Sequence, residues 1–296
     1  MTTRICLNAI VRNESKNILR MLRSVAPIID CWSITDTGST DDTLSKVYAF
    51  FLGHNIPGNL WTQPFVDFAT TRNWSLDRSE NSFLAEHFDY HLLVDADMVW
   101  CGVIDKEALT EDAYYIRQKD KPSGAEYDNL RIVKRGIGAQ YVGVTHEYLD
   151  VGGLQGPWPK LRGGMFIDHA DGANRPGKFE RDIALLKAEV EKNPDDARSV
   201  FYLAQSYRDN GQFQKAASTY LDRSYMENTW EEEKWYALLM YARCLDTMGV
   251  DATGIWKLCH NERPWRREPL KDLARYYLDK ANAITDTKDD ILFLEP

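Results

Sequence analysis

His91-Leu92-Leu93-Val94-Asp95-Ala96-Asp97-Met98 is the stretch on which the reading of this chain turns. An apolar run ends abruptly in two carboxylates spaced i, i+2. The run predicts a buried strand with the carboxylates at its carboxyl end. In an open α/β sheet that is where ligands bind. Two Asp side chains there repel each other unless a cation sits between them. Hard oxygen ligands suit Mg²⁺ or Mn²⁺, ions commonly held by one or two carboxylates plus substrate phosphates. The pair therefore points to a metal site that handles a phosphorylated ligand. Taken alone, Asp-x-Asp serves equally well as a capping turn. The surrounding pattern has to decide.

Outward from that run, the first half alternates strand and helix signals. Ile5 to Val11 is a short apolar run, a second buried strand. Within Lys16 to Val25, Ile18, Leu19, Leu22 and Val25 fall at helical spacing, and Pro27 stops that helix. Cys31 to Thr35 is a further strand. Thr40-Asp41-Asp42 then caps a helix carrying Leu44, Val47, Tyr48 and Phe51. Another strand follows near Leu60 to Gln63. Helical spacing spans Thr70 to His87, interrupted around Ser79 to Ser82. Such alternation predicts a mostly parallel sheet with right-handed crossovers. From Ala113 to Asp168 the pattern changes. Short strands at Ala113 to Arg117, Leu130 to Lys134 and Tyr141 to Val144 predict an antiparallel or mixed extension over the site. Gly152 to Gly164 is rich in Gly and Pro and reads as a loop, with Trp158 placed to stack on a ring of a ligand.

From Phe179 onward every signal is helical. Phe179 to Val190 is amphipathic, Asn193-Pro194 ends it, and Asp195 and Asp196 cap the next helix. Val200-Phe201-Tyr202-Leu203-Ala204-Gln205-Ser206-Tyr207, then Gly211 and Ala216-Ala217, follow the tetratricopeptide pattern. A degraded second pair is expected over Glu231 to Met248 and a third over Thr253 to His260 and Leu270 to Asn282. The tryptophans of these helices are expected in the core. Stacked pairs expose a concave face and offer a surface for self-association. The expected architecture is α/β: a Rossmann-like sheet domain over residues 1–175, then an all-α, tetratricopeptide-like domain over 176–296.

Composition narrows the function classes. The net charge of −9 disfavours broad binding to nucleic acid or anionic membranes, leaving only a local basic groove around Arg131, Lys134 and Arg135. The five cysteines are odd in number and scattered without a CxxC, which argues against a disulfide framework or zinc site and fits a reducing cytoplasm. The N-terminus lacks the apolar region of a signal peptide, and no run of 18 apolar residues predicts membrane insertion.

A second candidate lies in Ile34-Thr35-Asp36-Thr37-Gly38-Ser39-Thr40-Asp41, where a strand gives way to a helix. Amide groups at a helix start favour a polar or anionic ligand. Asp36 can accept hydrogen bonds from a nucleobase or ribose, and Gly38 permits a tight turn. Asp36 and Asp95 are both expected at the carboxyl ends of neighbouring strands.

Val11-Arg12-Asn13-Glu14-Ser15, Asp36-Thr37-Gly38-Ser39-Thr40-Asp41, Arg72-Asn73 and Asp95-Ala96-Asp97, in that order, resemble the motifs of the inverting family 2 glycosyltransferases with a GT-A fold. More narrowly, the chain resembles the bacterial and phage subgroup that joins such a domain to tetratricopeptide helices. The resemblance implies that Val11, Asn13, Glu14, Asp36 and Gly38 hold the nucleoside of a nucleotide-diphosphate sugar. It implies that Asp97 ligates Mn²⁺ or Mg²⁺ directly, with Asp95 at the ribose or a metal-bound water and Ala96 between them. Thr37 stands where many members carry a second Asp, so the base stays open, a UDP-linked donor being the expectation. Arg72 would contact the base or diphosphate, for which its fork of donors is suited.

An inverting transfer also needs a base opposite the leaving diphosphate. Glu147, in Thr145-His146-Glu147-Tyr148, is the candidate, with His146 orienting it or the acceptor; Asp150 ranks below it. His169 is a candidate third metal ligand or diphosphate contact. Arg175 and Lys178 are placed to clamp the diphosphate if the segment around them folds over the donor. The acceptor is a glycan, a peptide or a modified DNA base. The competing class is a non-catalytic repeat scaffold with a nucleotide-binding domain. A nucleotidyltransferase would want a Gly-rich basic loop after the first strand, and Arg12-Asn13-Glu14-Ser15 has no glycine.

Overall fold

The computed structural model describes residues 3–154, 156–171, 177–227 and 229–291. The chain divides into two compact units, Met1–Pro176 and Gly177–Pro296. In the first, β1 (Ile5–Val11), α1 (Ile18–Val25), β2 (Cys31–Asp36), α2 (Thr43–His54), β3 (Gly58–Thr62), α3 (Phe68–Glu80) and β4 (Tyr90–Leu93) alternate as the sequence predicts. Then follow β5 (Met98–Gly102), β6 (Ala113–Asp120), β7 (Glu126–Lys134), β8 (Ala139–Val142), β9 (Tyr148–Val151) and β10 (Lys160–Asp168).

The described residues form an eight-stranded sheet in the order β3-β2-β1-β4-β7-β6-β10-β5, with β8 and β9 as a separate hairpin. The pairings β3–β2, β2–β1, β1–β4 and β6–β10 are parallel, whereas β4–β7, β7–β6 and β10–β5 are antiparallel. The apolar runs of β1 and β2 are buried on both faces, which is why they lack polar alternation. One face of α1 buries Ile18, Met21, Leu22 and Val25, each contributing roughly 1.5–3 kcal/mol relative to exposure.

Three expectations are corrected. β1 lies between β2 and β4, so the strands leading to Asp36 and Asp95 are not neighbours. Strand order reverses between β1 and β4, and this switch point opens the ligand crevice of such sheets. The Gly/Pro segment is a loop only in part: Gly163 and Gly164 belong to β10. A Cβ on Gly164 would lie 2.0 Å from the Trp100 ring, so that glycine admits β10 beside β5 rather than ending a strand. Trp158 is partly buried against Leu76, Leu93 and Val151 and packs as core, not as a sugar platform.

Helix α3 has an unusual buried face: Arg72, Ser75, Leu76 and Ser79. Asn8 of β1 donates to the Ser75 carbonyl and the Ser79 hydroxyl, and Thr35 of β2 donates to Ser75 Oγ. This satisfied polar network fixes the rotation of α3 and aims Arg72 at the end of β4.

The second unit is an all-α array: α4 (Lys178–Lys192), α5 (Ala197–Asp209), α6 (Phe213–Tyr225), α7 (Glu231–Thr247), α8 (Thr253–Glu262) and α9 (Glu268–Ile291). Each helix packs against the next. Asp196 caps α5 by accepting from the Arg198 and Ser199 amides. Ala216 and Ala217 are buried where α6 meets its neighbours, and Arg223 pairs with Glu233 inside the array at 3.0 Å. Residues 231–248, expected as a helix pair, are the single helix α7 and its cap. Trp235 and Trp256 are core, but Trp230 and Trp265 are exposed, against expectation. Among the described residues no helix is long and apolar enough to cross a membrane.

Candidate active site

The site is built from four loops and one helix. After β1, Asn13 takes a left-handed φ of 54° and its Oδ1 accepts from the Thr40 amide at 2.7 Å. Its own amide donates to Ser39 Oγ, the Glu14 amide to Thr43 Oγ1, and the Ser15 amide to Asp41 Oδ2. The loops after β1 and β2 are thus stitched together. Val11 is buried, and its carbonyl accepts from Thr37. Asp36 was expected to face a base or ribose. Instead it is buried and its oxygens accept from the Gly38 and Ser39 amides at 3.0 Å, a turn that Gly38 permits at φ 104°.

At the end of β4 the expectation changes more sharply. Arg72 Nη2 donates to Asp95 Oδ1 at 2.5 Å, and Arg131 Nη2 reaches Asp95 Oδ2 at 3.1 Å. Both oxygens of Asp95 are therefore held by guanidinium groups. Burial would raise its pKa, yet Arg72 and Arg131 hold it well below the usual carboxylate range. Arg72 Nε also donates to Glu147 Oε1 at 2.7 Å, and the guanidinium lies 5.3 Å from the Tyr141 ring centre. Burial opposes the charged form of Arg72, but Asp95 and its other neighbours keep it firmly protonated.

Glu147 is delivered by the β8–β9 hairpin, which α3 carries. Asn73 Nδ2 donates to the Tyr141 carbonyl at 2.9 Å and its Oδ1 accepts from the Tyr141 amide at 2.7 Å. The Phe68 amide donates to the Val144 carbonyl. His146, beside Glu147, has φ 51°, a strained conformation of the kind found at functional turns. Asp150 is exposed on β9, opposite Gln140.

A second group of carboxylates lies where the segments after β4 and β10 meet. The His169 amide donates to the Asp97 carbonyl, and Ala170, next in sequence, has φ 52°. Burial first, then the charges of Asp97 and Asp95, raise the pKa of Asp168. Lys121 Nζ is 3.3 Å from His169 Nδ1. Burial, Arg20 and Lys121 favour the neutral imidazole.

The expected ligand set Asp95, Asp97 and His169 does not assemble. Asp95 is taken by two arginines, and among the described residues no three His, Cys, Asp or Glu side chains are grouped to hold a metal ion. Ala96 is buried behind the turn. Arg175 lies outside the described residues. Lys178 begins α4 in the second unit, its Nζ 5.6 Å from the Phe179 ring centre. The basic groove is not formed either: Arg131 is buried on Asp95, Lys134 pairs with Asp112, and Arg135 donates to the Phe88 carbonyl.

Two roles escape the sequence reading: Arg131, expected in a basic groove, is the second partner of Asp95, and Asp168 faces Asp97. Arg131 interrupts the apolar run Leu130 to Val133, and a charge at an inward strand position was its signal. Asp168 ends Phe166-Ile167-Asp168, the same apolar-to-acid step as Val94-Asp95.

No protein-family model and no curated protein matches the chain. Among solved structures, it is similar to the crystal structure of S. aureus TarS 1–349 at 13% identity and TM-score 0.39, covering 94% of this chain and 92% of that one. The same protein in complex with UDP-GlcNAc matches at 14% identity and TM-score 0.38, over 94% and 92%. Glucosyl-3-phosphoglycerate synthase from Mycobacterium tuberculosis, in complex with phosphoglyceric acid, matches at 18% identity and TM-score 0.29, over 41% and 45%.

Proposed function

We propose that this chain is an inverting glycosyltransferase of the GT-A, family 2 type, moving a sugar from a nucleotide-diphosphate donor to an acceptor hydroxyl. One observation carries this reading. At the switch point between β1 and β4, Arg72, Asp95 and Glu147 meet from three elements far apart in sequence. The arrangement supplies an anion-binding guanidinium and a half-buried carboxylate in one crevice.

In this reading the nucleoside lies against the stitched loops after β1 and β2. The donor diphosphate is met by Arg72, whose fork suits phosphate oxygens. Glu147 takes the proton of the acceptor hydroxyl as that oxygen attacks the anomeric carbon. The bond to the diphosphate breaks on the opposite face, so the configuration inverts. The residues do not fit the expected metal site as a set, so no step is routed through Mn²⁺ or Mg²⁺. The helical unit enters as a tetratricopeptide-like array, and the acceptor as a glycan or peptide. A DNA acceptor loses its support with the missing basic groove.

The test is melting temperature against nucleoside diphosphates and nucleotide sugars, with and without Mn²⁺ or Mg²⁺. A nucleotide-specific rise is expected, because a ligand that binds the native state stabilises it by mass action. The rise with and without the ion decides metal dependence. Glu147→Gln should keep that rise while transfer falls by about 10²–10⁴-fold, the usual size of a general-base contribution. No rise with any nucleotide would sink the reading in favour of a scaffold.

A further inference from the structure

We propose that Arg72 is a positioning residue that holds Glu147 paired until the donor diphosphate draws its guanidinium away. This rests on the reading above but goes beyond it, because it makes the order of events a property of one side chain.

Three observations carry it. First, one guanidinium serves two carboxylates at once: Nε at Glu147 and Nη2 at Asp95. Its side chain is only 10% exposed, so the pairing is sheltered from solvent. A Glu147 oxygen engaged in this way is fixed in direction and already accepts an N–H. Second, the two carboxylates do not depend on Arg72 equally. Asp95 keeps Arg131, which is itself fixed by Gln118 Oε1 at 2.9 Å. Among the described residues no second cation forms an ion pair with Glu147. Departure of Arg72 therefore leaves Asp95 compensated and Glu147 uncovered. Third, the hairpin bearing Glu147 has backbone anchors independent of Arg72, to the Asn73 side chain and the Phe68 amide. Glu147 stays in place when its partner leaves.

A diphosphate carries more negative charge than one carboxylate and offers a guanidinium two oxygens in matching geometry. It can thus displace Glu147 as the partner of Arg72. Donor binding then uncovers the base, and an acceptor arriving first meets a carboxylate that is still engaged. The molecule would bind donor before acceptor.

The experiment is carbodiimide labelling of carboxylates in the full chain, resolved by residue with mass spectrometry. It is run with and without uridine diphosphate, on the wild type, Arg72→Lys and Arg72→Met. In the wild type, nucleotide should speed labelling of Glu147 severalfold and leave Asp95 slow. Arg72→Met should label quickly at Glu147 without nucleotide, still with Asp95 slow. General loosening would speed both residues, so Asp95 guards against a folding artefact. Arg72→Lys keeps a cation but cannot bridge both carboxylates, and should fall between. Uridine diphosphate that raises the melting temperature yet leaves Glu147 labelling unchanged overturns the proposal. If it gives no melting shift, the donor reading fails in its uridine form. The nucleotide-free comparison still decides the role of Arg72: equal Glu147 labelling in wild type and both variants overturns it.

Discussion

Asp95 and Asp168 stand just beyond or at the ends of two strands of one sheet, yet their surroundings pull them in opposite directions. Asp95 sits between two guanidinium groups, and its acidity is strengthened. Asp168 shares a half-buried corner with Asp97, and its acidity is weakened. The first group is electrostatically complete as it stands, with two arginines facing Asp95 and Glu147. In the second, burial and the charges of Asp97 and Asp95 outweigh the Ala170 amide and Arg131 at Asp168. An anionic ligand therefore enters the first group by exchange, displacing a carboxylate from an arginine. In the second, removing the charge of Asp168 relieves the repulsion.

The largest test of this contrast is Arg72→Met. It leaves two partly buried carboxylates with one guanidinium between them. Breaking such a pair should cost about 2–4 kcal/mol and lower Tm by about 5–10 °C, read by calorimetry. A loss near zero would mean the group is not complete in the sense described.

The next test sets Asp95→Asn against Asp168→Asn. The first should lose about 1–3 kcal/mol, because it leaves buried donors without a charged acceptor. The second should gain stability, raising Tm by on the order of 1–2 °C at neutral pH. Their pH dependences differ in sign. Asp95 has a depressed folded pKa. Its contribution is present above the ordinary carboxylate value of about 3.9 and is lost as pH falls further. Asp168 has a raised folded pKa, so its charge penalises the fold above that pKa. The advantage of Asp168→Asn should shrink as pH falls through it. Two variants of equal sign would break the comparison.

Much of this was legible in the chain, and the limits are physical. β1, β2 and β4 read directly because strands buried on both faces are short apolar runs. β10 did not, because Gly163 and Gly164 look like loop residues until Val103 is known to lie against the first and Trp100 across the second. α3 read as a helix but its buried face did not, since that face is Arg72, Ser75 and Ser79 rather than an apolar stripe. Arg72, Asp95 and Glu147 were each singled out. Their mutual pairing joins positions 23 and 75 residues apart, and no local pattern encodes that.

The smallest effect serves as a control outside both groups. His91 is buried, with Nε2 3.1 Å from Glu80 Oε1 and Nδ1 without a partner. Burial keeps its folded pKa below the ordinary value of about 6.5. The unfolded chain takes up that proton first, so stability should fall shallowly as pH drops below about 6.5. His91→Gln should flatten Tm against pH in that window and leave the Asp95 and Asp168 variants' differences unchanged.

The attachment of the β8–β9 hairpin has a consequence for how such a molecule can diversify. Asn73 grips residue 141 through its backbone amide and carbonyl alone, and Phe68 grips the carbonyl of residue 144. Neither contact specifies a side chain on the hairpin. Ala139, Tyr141, Leu149 and Val151 pack inward and Glu147 meets Arg72, but the exposed positions 140, 142 and 150 between them can drift while the mount on α3 persists. Lineages carrying this mount could change what they modify without rebuilding how they hold the donor.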